Sequence, residues 1–333
     1  MDRPLVALVL AGGVGSRLYP ASRTRRPKQF LTFGGERSLI ERTVERASVA
    51  DRTFVSTREA FAADVRARVD DATVLVEPAG KDTGPALVYA THRIRERVGD
   101  CVVLALPSDH LVGEGFAPVA RRGARVAADT GRLVTFGVEP TRPDTGYGYV
   151  EPGAEREGYF EVAAFHEKPD PETARRYVAA GHLWNAGMFA WTPEALLSAA
   201  RDSPLAPLVE ALEAGDPEGG FGAVDSVSLD YAVLERADDV AVVPALFEWD
   251  DLGSWDALER VLPADDGGNA ALGDVLALDA SDNVVVSDDK HVSLVGVEGL
   301  AVVAWDDRVL VVPTDAAQRV REVVDELKRE GRF

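Results

Sequence analysis

The sequence predicts an α/β fold, a doubly wound and mostly parallel sheet followed by a small β-rich domain closed by a helix, and three observations carry that prediction. Continuous apolar runs of strand length recur through the first half, amphipathic segments of helical length separate them, and the pattern changes to closely spaced short strand-like runs after residue 262. Continuous rather than alternating apolar strands, each followed by a helix, suit a parallel sheet covered on both faces.

The elements follow in order. LVALVL at 5–10 is the first buried strand, and TFVST near Phe54, ATVLVE near Val74, CVVLALP near Leu104 and LVTFGV near Val134 are the next candidates. Between them SLIERTVERA at 38–47 has Ser38 and Glu41 in capping-box spacing, and GPALVYATHRIRERV at 84–98 has helical periodicity. From Pro140 onward Gly, Pro and aromatic residues thicken, which predicts loops and short strands laid over the sheet. PADDGGNAALGD after Leu262 reads as a linker, dividing the chain into a larger domain at 1–262 and a C-terminal domain at 263–333. Five runs follow, LGDVLAL, DNVVVSD, HVSLVGV, GLAVVAW and RVLVVP, and then an amphipathic helix over 316–329.

Composition bounds the function. Of 333 residues 46% are hydrophobic, enough for a substantial core, and the formal net charge is −20. Such a balance, without a cluster of basic residues, argues against a nucleic-acid partner. Lysine occurs only at 28, 81, 168, 290 and 328, and the excess of acids fits either a protein kept soluble in a salty cytosol or an ordinary acidic protein of a GC-rich genome. Lone Cys101 in an apolar run excludes a disulfide framework and a Cys-based zinc site. No run reaches the length of a membrane span or signal peptide, so a soluble cytoplasmic protein without a membrane partner is expected.

The strongest local signal is LAGGVGSRLYPASRTRRPKQFL at 10–31, directly after the first strand. Its glycines at 12, 13 and 15 let backbone N–H groups approach phosphate oxygens, and Arg17 and Lys28 add charge. Leu18 stands where a dinucleotide fingerprint needs Gly or Ala, and the Gly-Lys-Ser/Thr of a Walker A loop is missing. Histidines 92, 110, 166, 182 and 291 show no metal-ligand spacing and read as structural or solvent-facing.

With this loop, EPAGKDTGPAL at 77–87, LPSDH at 106–110, TRPDTGYGYVEPG at 141–153, FHEKPD at 165–170, WNAGMFAW at 184–191, SLDYAVLER at 228–236 and FEWDDLGSWDAL at 247–258, the chain resembles the sugar-1-phosphate nucleotidylyltransferase family, most closely its mannose-1-phosphate guanylyltransferase branch. The motifs cover residues 5 to 260 in order, and the β-plus-helix tail resembles the family's C-terminal, short β-helix-like domain. The resemblance implies transfer of GMP from GTP to α-D-mannose 1-phosphate, giving GDP-mannose and pyrophosphate. It implies one Mg2+ held by Asp109 and Asp251 as metal ligands, with Asp250 not a ligand. Arg17 and Lys28 are expected on the nucleotide phosphates, with Leu10, Gly12, Gly13, Gly15, Asp82, Thr83 and Pro107 completing the nucleotide site. Lys168 is expected to grip the sugar phosphate, Glu167 and Asn185 the sugar hydroxyls, and Gly148 and Tyr149 to close over the sugar, with Asp230 in the same pocket.

The sequence departs from the family's pattern at Asp82, where Asn is common, at Gly84, where Ala is common, and at Ala186, where Ser is common. An Asp still offers an acceptor to the N1–H and amino donors of guanine. The segment that carries isomerase activity in two-function relatives is not present in this sequence, so a single activity is expected. The β appendage offers a surface for a homodimer. The alternatives are a relative using glucose 1-phosphate with UTP or dTTP and a catalytically silent regulatory homologue; the presence of Arg17, Lys28, Asp109 and Asp251 speaks against the latter.

Overall fold

The computed structural model describes residues 3–333. The strands in chain order are β1 Leu5–Leu10, β2 Arg52–Arg58, β3 Ala72–Glu77, β4 Val102–Pro107, β5 Leu111–Val112, β6 Leu133–Val138, β7 Tyr149–Arg156, β8 Tyr159–His166, β9 Leu183–Trp191, β10 Val240–Pro244, β11 Trp249–Asp250, β12 Ala270–Leu278, β13 Val284–Val295, β14 Leu300–Trp305 and β15 Arg308–Pro313. Packing divides the chain into two compact units whose boundaries do not fall at the linker after residue 262. The first comprises the segment ending at Gly12 with Thr43–Ser108 and Val112–Trp249, and the second Gly13–Arg42, Asp109–Leu111 and Asp250–Phe333. The chain crosses between them inside three of the motifs, at 12/13, 108/109 and 249/250.

The first unit is built on a nine-stranded sheet of order β3-β2-β1-β4-β9-β6-β10-β8-β7, in which β8 and β9 run against the others. β1 and β4 are parallel neighbours with Leu10 paired to Pro107, while β2 lies on the other side of β1. That reversal of strand order marks the switch point where open α/β sheets place their ligands. The first five apolar runs form strands as expected, and Thr83–Val98 forms the long helix, with Asp82 at its N-cap. The segment after Pro140 differs from expectation. Its aromatic motifs form β7, β8 and β9 of the same sheet, and WNAGMFAW lies in β9, inserted between β4 and β6. Both faces of this strand are covered, so Trp184, Met188, Phe189 and Trp191 serve as core, and the Gly and Trp content hid an interior strand. β7 pairs with β9 as well as β8, so the sheet beyond β9 closes on itself.

The second unit carries the sheet β12-β13-β14-β15, in which the first three strands are parallel and β15 is antiparallel. The two runs DNVVVSD and HVSLVGV form one strand, β13, because residues 287–290 bulge out where Leu272 pairs with Val286 and Asp274 with His291. Stacked rungs join Ala270 to Val284 and Val284 to Ala301. Buried Asn269 and Asn283 form a ladder at the turns, with Asn283 Nδ2 donating to Asn269 Oδ1 at 2.8 Å and Asn283 Oδ1 accepting from Leu300 N at 2.9 Å. Stacked amides satisfy one another where each turn would otherwise bury an unpaired polar group. The expected linker is ordered at its end by Asp265, whose Oδ1 accepts from the backbone of Gly267 and Asn269. Helix Val320–Arg329 closes the sheet with Val320 and Val324.

Leu18, Tyr19, Leu31 and Phe33 of the segment after the glycines are buried in one cluster with Trp255 and Leu258 and with Val284, Val286, Ala301, Val303 and Leu310 of the small sheet. Trp255 Nε1 donates to Tyr19 O at 2.8 Å. The C-terminal sheet is therefore the core on which residues 13–42 are laid. Lys81, Lys290 and Lys328, the lysines outside the expected site, are structural: Lys81 binds the carbonyls of Phe221 and Val224, Lys290 pairs with Asp288 and Asp289, and Lys328 lies over Phe333. No helix among the described residues is long and apolar enough to cross a membrane.

Candidate active site

In the second unit, Gly15 has φ +68°, and a Cβ there would collide with Lys28 Cβ. Only glycine allows both this backbone conformation and this approach. The loop is held by Lys28 N donating to Val14 O at 2.9 Å and by the Ser22 hydroxyl bonded to Gly15 O. Lys28 is buried at 5% exposure. Its ammonium donates to Asp109 Oδ2 at 2.9 Å and to the carbonyl oxygen of Asp251. Three motifs far apart in sequence thus meet at one cation. Burial alone would raise the Asp109 carboxyl, but Lys28 and then His110 outweigh it and hold the group below its ordinary range.

The neighbouring acid Asp250 is committed elsewhere, accepting from Arg260 Nε at 2.7 Å and from Leu252 N at 2.8 Å. Asp251 Oδ1 accepts from Gly253 N at 3.1 Å, and a Cβ at Gly253 would lie 2.8 Å from Asp251 Oδ2, so glycine gives this carboxylate its room. Arg17 Nη1 donates to Gln318 Oε1 at 3.4 Å, and Gln318 Nε2 donates to Ser254 Oγ at 2.8 Å. A residue of the C-terminal domain therefore reaches a cation of the glycine loop. The sequence held no signal for Gln318, since its partners lie 301 and 64 positions away.

In the first unit, Gly12 follows Ala11, whose carbonyl accepts from the buried Thr57 hydroxyl at 2.8 Å. A Cβ at Gly12 would sit 3.3 Å from Glu77 Oε1. Glu77 is buried, burial raises its carboxyl, and Ser56 Oγ donates to it at 3.0 Å. Glu77 was legible as a motif residue, but its approach to Gly12 depends on β1, β2 and β3 lying side by side. Asp82 takes φ +67° and its Oδ1 accepts from Thr83 N at 2.7 Å, while Thr83 Oγ1 accepts from Leu229 N at 3.0 Å. Gly84 explains its own departure from Ala: a Cβ would meet Val227 O at 2.7 Å.

A second group in the same unit gathers Gly148, Tyr149, Glu167, Lys168, Asn185 and Asp230. Asn185, 9% exposed in β9, accepts from Thr135 Oγ1 at 2.8 Å and donates to Asp230 Oδ1 at 2.8 Å, so its amide is oriented from both sides. Burial, reinforced by the nearby Glu167, pushes the Asp230 carboxyl up to about 7. Glu167 is nearly buried and pairs with the half-exposed Lys168. Burial works against the Lys168 charge, but Glu167 outweighs it and raises the ammonium. A Cβ at Gly148 would clash with Glu167 Oε2 at 2.5 Å. Tyr149 is fully buried with its hydroxyl bonded to both backbone groups of Asp144 at 2.9 Å, so its ring is not a face open to a ligand. Ala186 is buried in β9 and nothing in its surroundings explains the change from Ser.

The group in the second unit can hold polyanions through its cations, and the second group in the first unit can hold sugar hydroxyls through oriented carboxylates and an amide. The chain matches the family model for nucleotidyl transferase over residues 6–266 and that for the MannoseP isomerase/GMP-like beta-helix domain over 273–327. It is 38% identical to the xanthan biosynthesis protein XanB of Xanthomonas campestris pv. campestris and 37% identical to the mannose-1-phosphate guanylyltransferase ManC of Salmonella typhimurium, each match covering 98% of this chain and 74% of the relative. The crystal structure of mannose-1-phosphate geranyltransferase from Thermus thermophilus superposes with a TM-score of 0.92 at 38% identity, covering 98% of this chain and 99% of that one. The chain belongs to the nucleotidyl transferase family, in company with its mannose-1-phosphate guanylyltransferases, and is a sugar-1-phosphate nucleotidylyltransferase enzyme.

Proposed function

We propose that this enzyme is a Mg2+-dependent mannose-1-phosphate guanylyltransferase, transferring GMP from GTP to α-D-mannose 1-phosphate. The observation that carries the reading is the Lys28 ammonium bonded at once to Asp109 Oδ2 and to the backbone of Asp251. A phosphate oxygen of the sugar phosphate attacks the α-phosphorus of GTP; the new P–O bond forms as the bond to the bridging α–β oxygen breaks, and its electron pair leaves with pyrophosphate. The nucleophile is already anionic at neutral pH, so no general base is required. What the protein must supply is alignment of two polyanions and stabilisation of charge on the transferring and leaving groups.

Arg17 and Lys28 take the nucleotide phosphates and the departing pyrophosphate, beside backbone N–H groups of Gly13 and Gly15. Gly12, Leu10, Pro107, Asp82 and Thr83 line the nucleoside side, and the carboxylates of Asp82 and Glu77 suit the N1–H and amino donors of guanine. Lys168 takes the phosphate of the sugar substrate, while Glu167, Asn185 and Asp230 bind its hydroxyls. The hard carboxylate oxygens of Asp109 and Asp251 fit Mg2+, and the ionised state of Asp109 favours cation binding. When bound there, Mg2+ would supply charge neutralisation of the GTP phosphates. The reading places the enzyme in the cytoplasm, where nucleoside triphosphates are available, and takes its −20 charge as an adaptation to high salt.

The test is pyrophosphate release by the purified full chain in molar KCl with Mg2+, across a panel of nucleoside triphosphates and sugar 1-phosphates. GTP with mannose 1-phosphate should exceed every other pair by about 10-fold or more in kcat/KM. Faster turnover of glucose 1-phosphate with UTP or dTTP would overturn the specificity. Binding of nucleotide without turnover of any pair would establish a regulatory role instead.

A further inference from the structure

Among the described residues, one cluster outside the groups above gathers side chains of metal-ligand type. The pleat of the closed end of the large sheet puts Glu151, His166 and His182 on one face. β7 pairs Tyr149 with His166 and Glu151 with Ala164 on one side, and Tyr149 with Trp184 and Val150 with Leu183 on the other. Continuing the second register brings Glu151 toward His182, and residues opposite one another in a sheet share a face. The ligand atoms of Glu151, His166 and His182 all lie within 4.8 Å of one another.

His182 is 7% exposed, its Nδ1 is buried without a hydrogen-bond partner, and its Nε2 lies 3.9 Å from Glu151 Oε2. Nε2 is the nitrogen that faces Glu151 and the one an ion would engage, while no hydrogen bond at Nδ1 competes to fix the tautomer. Burial, its largest influence, holds His182 below its ordinary pKa and so in the neutral form that ligates metals. Tyr177 of helix Pro171–Ala179 stacks on the faces of both imidazoles, with ring centroids 4.7 Å from His166 and 4.5 Å from His182, and holds both rings in place.

We propose that Glu151, His166 and His182 form a binding site for a divalent ion of the zinc class, tying β7, β8 and the start of β9 together. Two imidazoles and one carboxylate suit such an ion, whereas Mg2+ prefers all-oxygen sets like Asp109 and Asp251. Zinc with bonds of about 2.1 Å holds its ligands about 3.4 Å apart, so ligand atoms already within 4.8 Å of one another need approach by about 1.4 Å at most. Water completes the coordination. Because Glu167 follows His166 directly, an ion here also steadies the backbone that carries a sugar-binding carboxylate.

Chelator-stripped full-length protein should retain one Zn2+ per chain after equilibrium dialysis with Zn2+ in millimolar Mg2+, and Co2+ in its place should give the visible d–d absorption of imidazole ligation. Zn2+ should raise the melting temperature. Glu151→Gln, at a half-exposed position where folding is retained, and His182→Asn should each weaken Zn2+ binding by about 10-fold or more and alter the Co2+ spectrum. Asp109→Asn should leave the stoichiometry and spectrum unchanged. Failure of wild type to bind Zn2+ in Mg2+, or unchanged affinity and spectrum in Glu151→Gln, would overturn the proposal. Should His182→Asn not fold, Glu151→Gln alone decides.

Discussion

The two units hold their candidate substrate groups in opposite ways. In the first, the sugar-binding candidates other than Asp230 ride on or directly beside strands of the large sheet, and Asn185 is oriented by Thr135 of β6 and by Asp230 on the helical turn 230–234. In the second, Gly13, Gly15, Arg17 and Lys28 lie on a segment with only short 3-10 turns, whose order comes from burying Leu18, Tyr19, Leu31 and Phe33 against the C-terminal sheet. A sheet supplies rigidity locally through its ladder of hydrogen bonds. A loop must borrow it through packing, so its function depends on residues hundreds of positions away.

The most severe way to break this comparison is to remove the C-terminal sheet. A chain ending at Leu262 leaves Leu18, Tyr19, Leu31, Phe33 and Trp255 without their buried partners, and it should be aggregated or inactive when assayed for solubility and pyrophosphate release. Next in size, Asp109→Ala and Asp251→Ala should each lower kcat by about 10³-fold, and Lys28→Met by about 10²-fold to 10³-fold, with circular dichroism unchanged. Normal turnover in either Asp variant would remove it from the metal site.

On the sheet-mounted side, Asn185→Ala should raise KM for the sugar phosphate by about 10-fold and leave KM for the nucleotide nearly unchanged. A smaller effect tests the loop's dependence directly. Gln318→Ala should raise KM for the nucleotide about 3-fold to 10-fold with little change in melting temperature, since Gln318 is exposed and acts through Arg17. Gln318→Glu should recover the contact to Arg17, and equal losses in nucleotide and sugar KM would refute the positioning role.

The smallest effect is on stability. Asp230 has a folded pKa raised to about 7 from an ordinary 3.8, so the folded protein binds the extra proton between those values. Its contribution is fully present below about pH 4 and is lost as the pH rises through 7. Asp230→Asn should therefore match the wild type near pH 4 and melt a few degrees higher at pH 8. A variant equally stable or less stable than wild type at pH 8 would mean that the carboxyl is not held protonated by its burial.

Much of this was legible in the sequence because it is local. The apolar runs located the strands of the parallel half, since continuous burial on both faces leaves no other composition, and Gly15 declared a position that side chains cannot occupy. The motifs named Lys28, Asp109 and Asp251 separately. Two features escaped. The Gly- and Trp-rich WNAGMFAW concealed an interior strand, because β9 gains its register only from β4, β6 and β7. His166 and His182 lack ligand spacing along the chain, and only β7, lying between β8, which ends at His166, and β9, which His182 precedes, brings them together.

By itself, then, the sequence determined which residues are apolar in runs, which positions must be glycine, and which acids and cations sit in family motifs, all properties of a residue and its chain neighbours. Only the tertiary structure decided that one buried ammonium binds Asp109 and the Asp251 backbone together, that Gln318 reaches Arg17, and that Asp250 is consumed by Arg260. The physical reason is range: propensity and patterning act over a few residues, whereas charge pairing and desolvation act through space, between groups that chain folding alone makes neighbours.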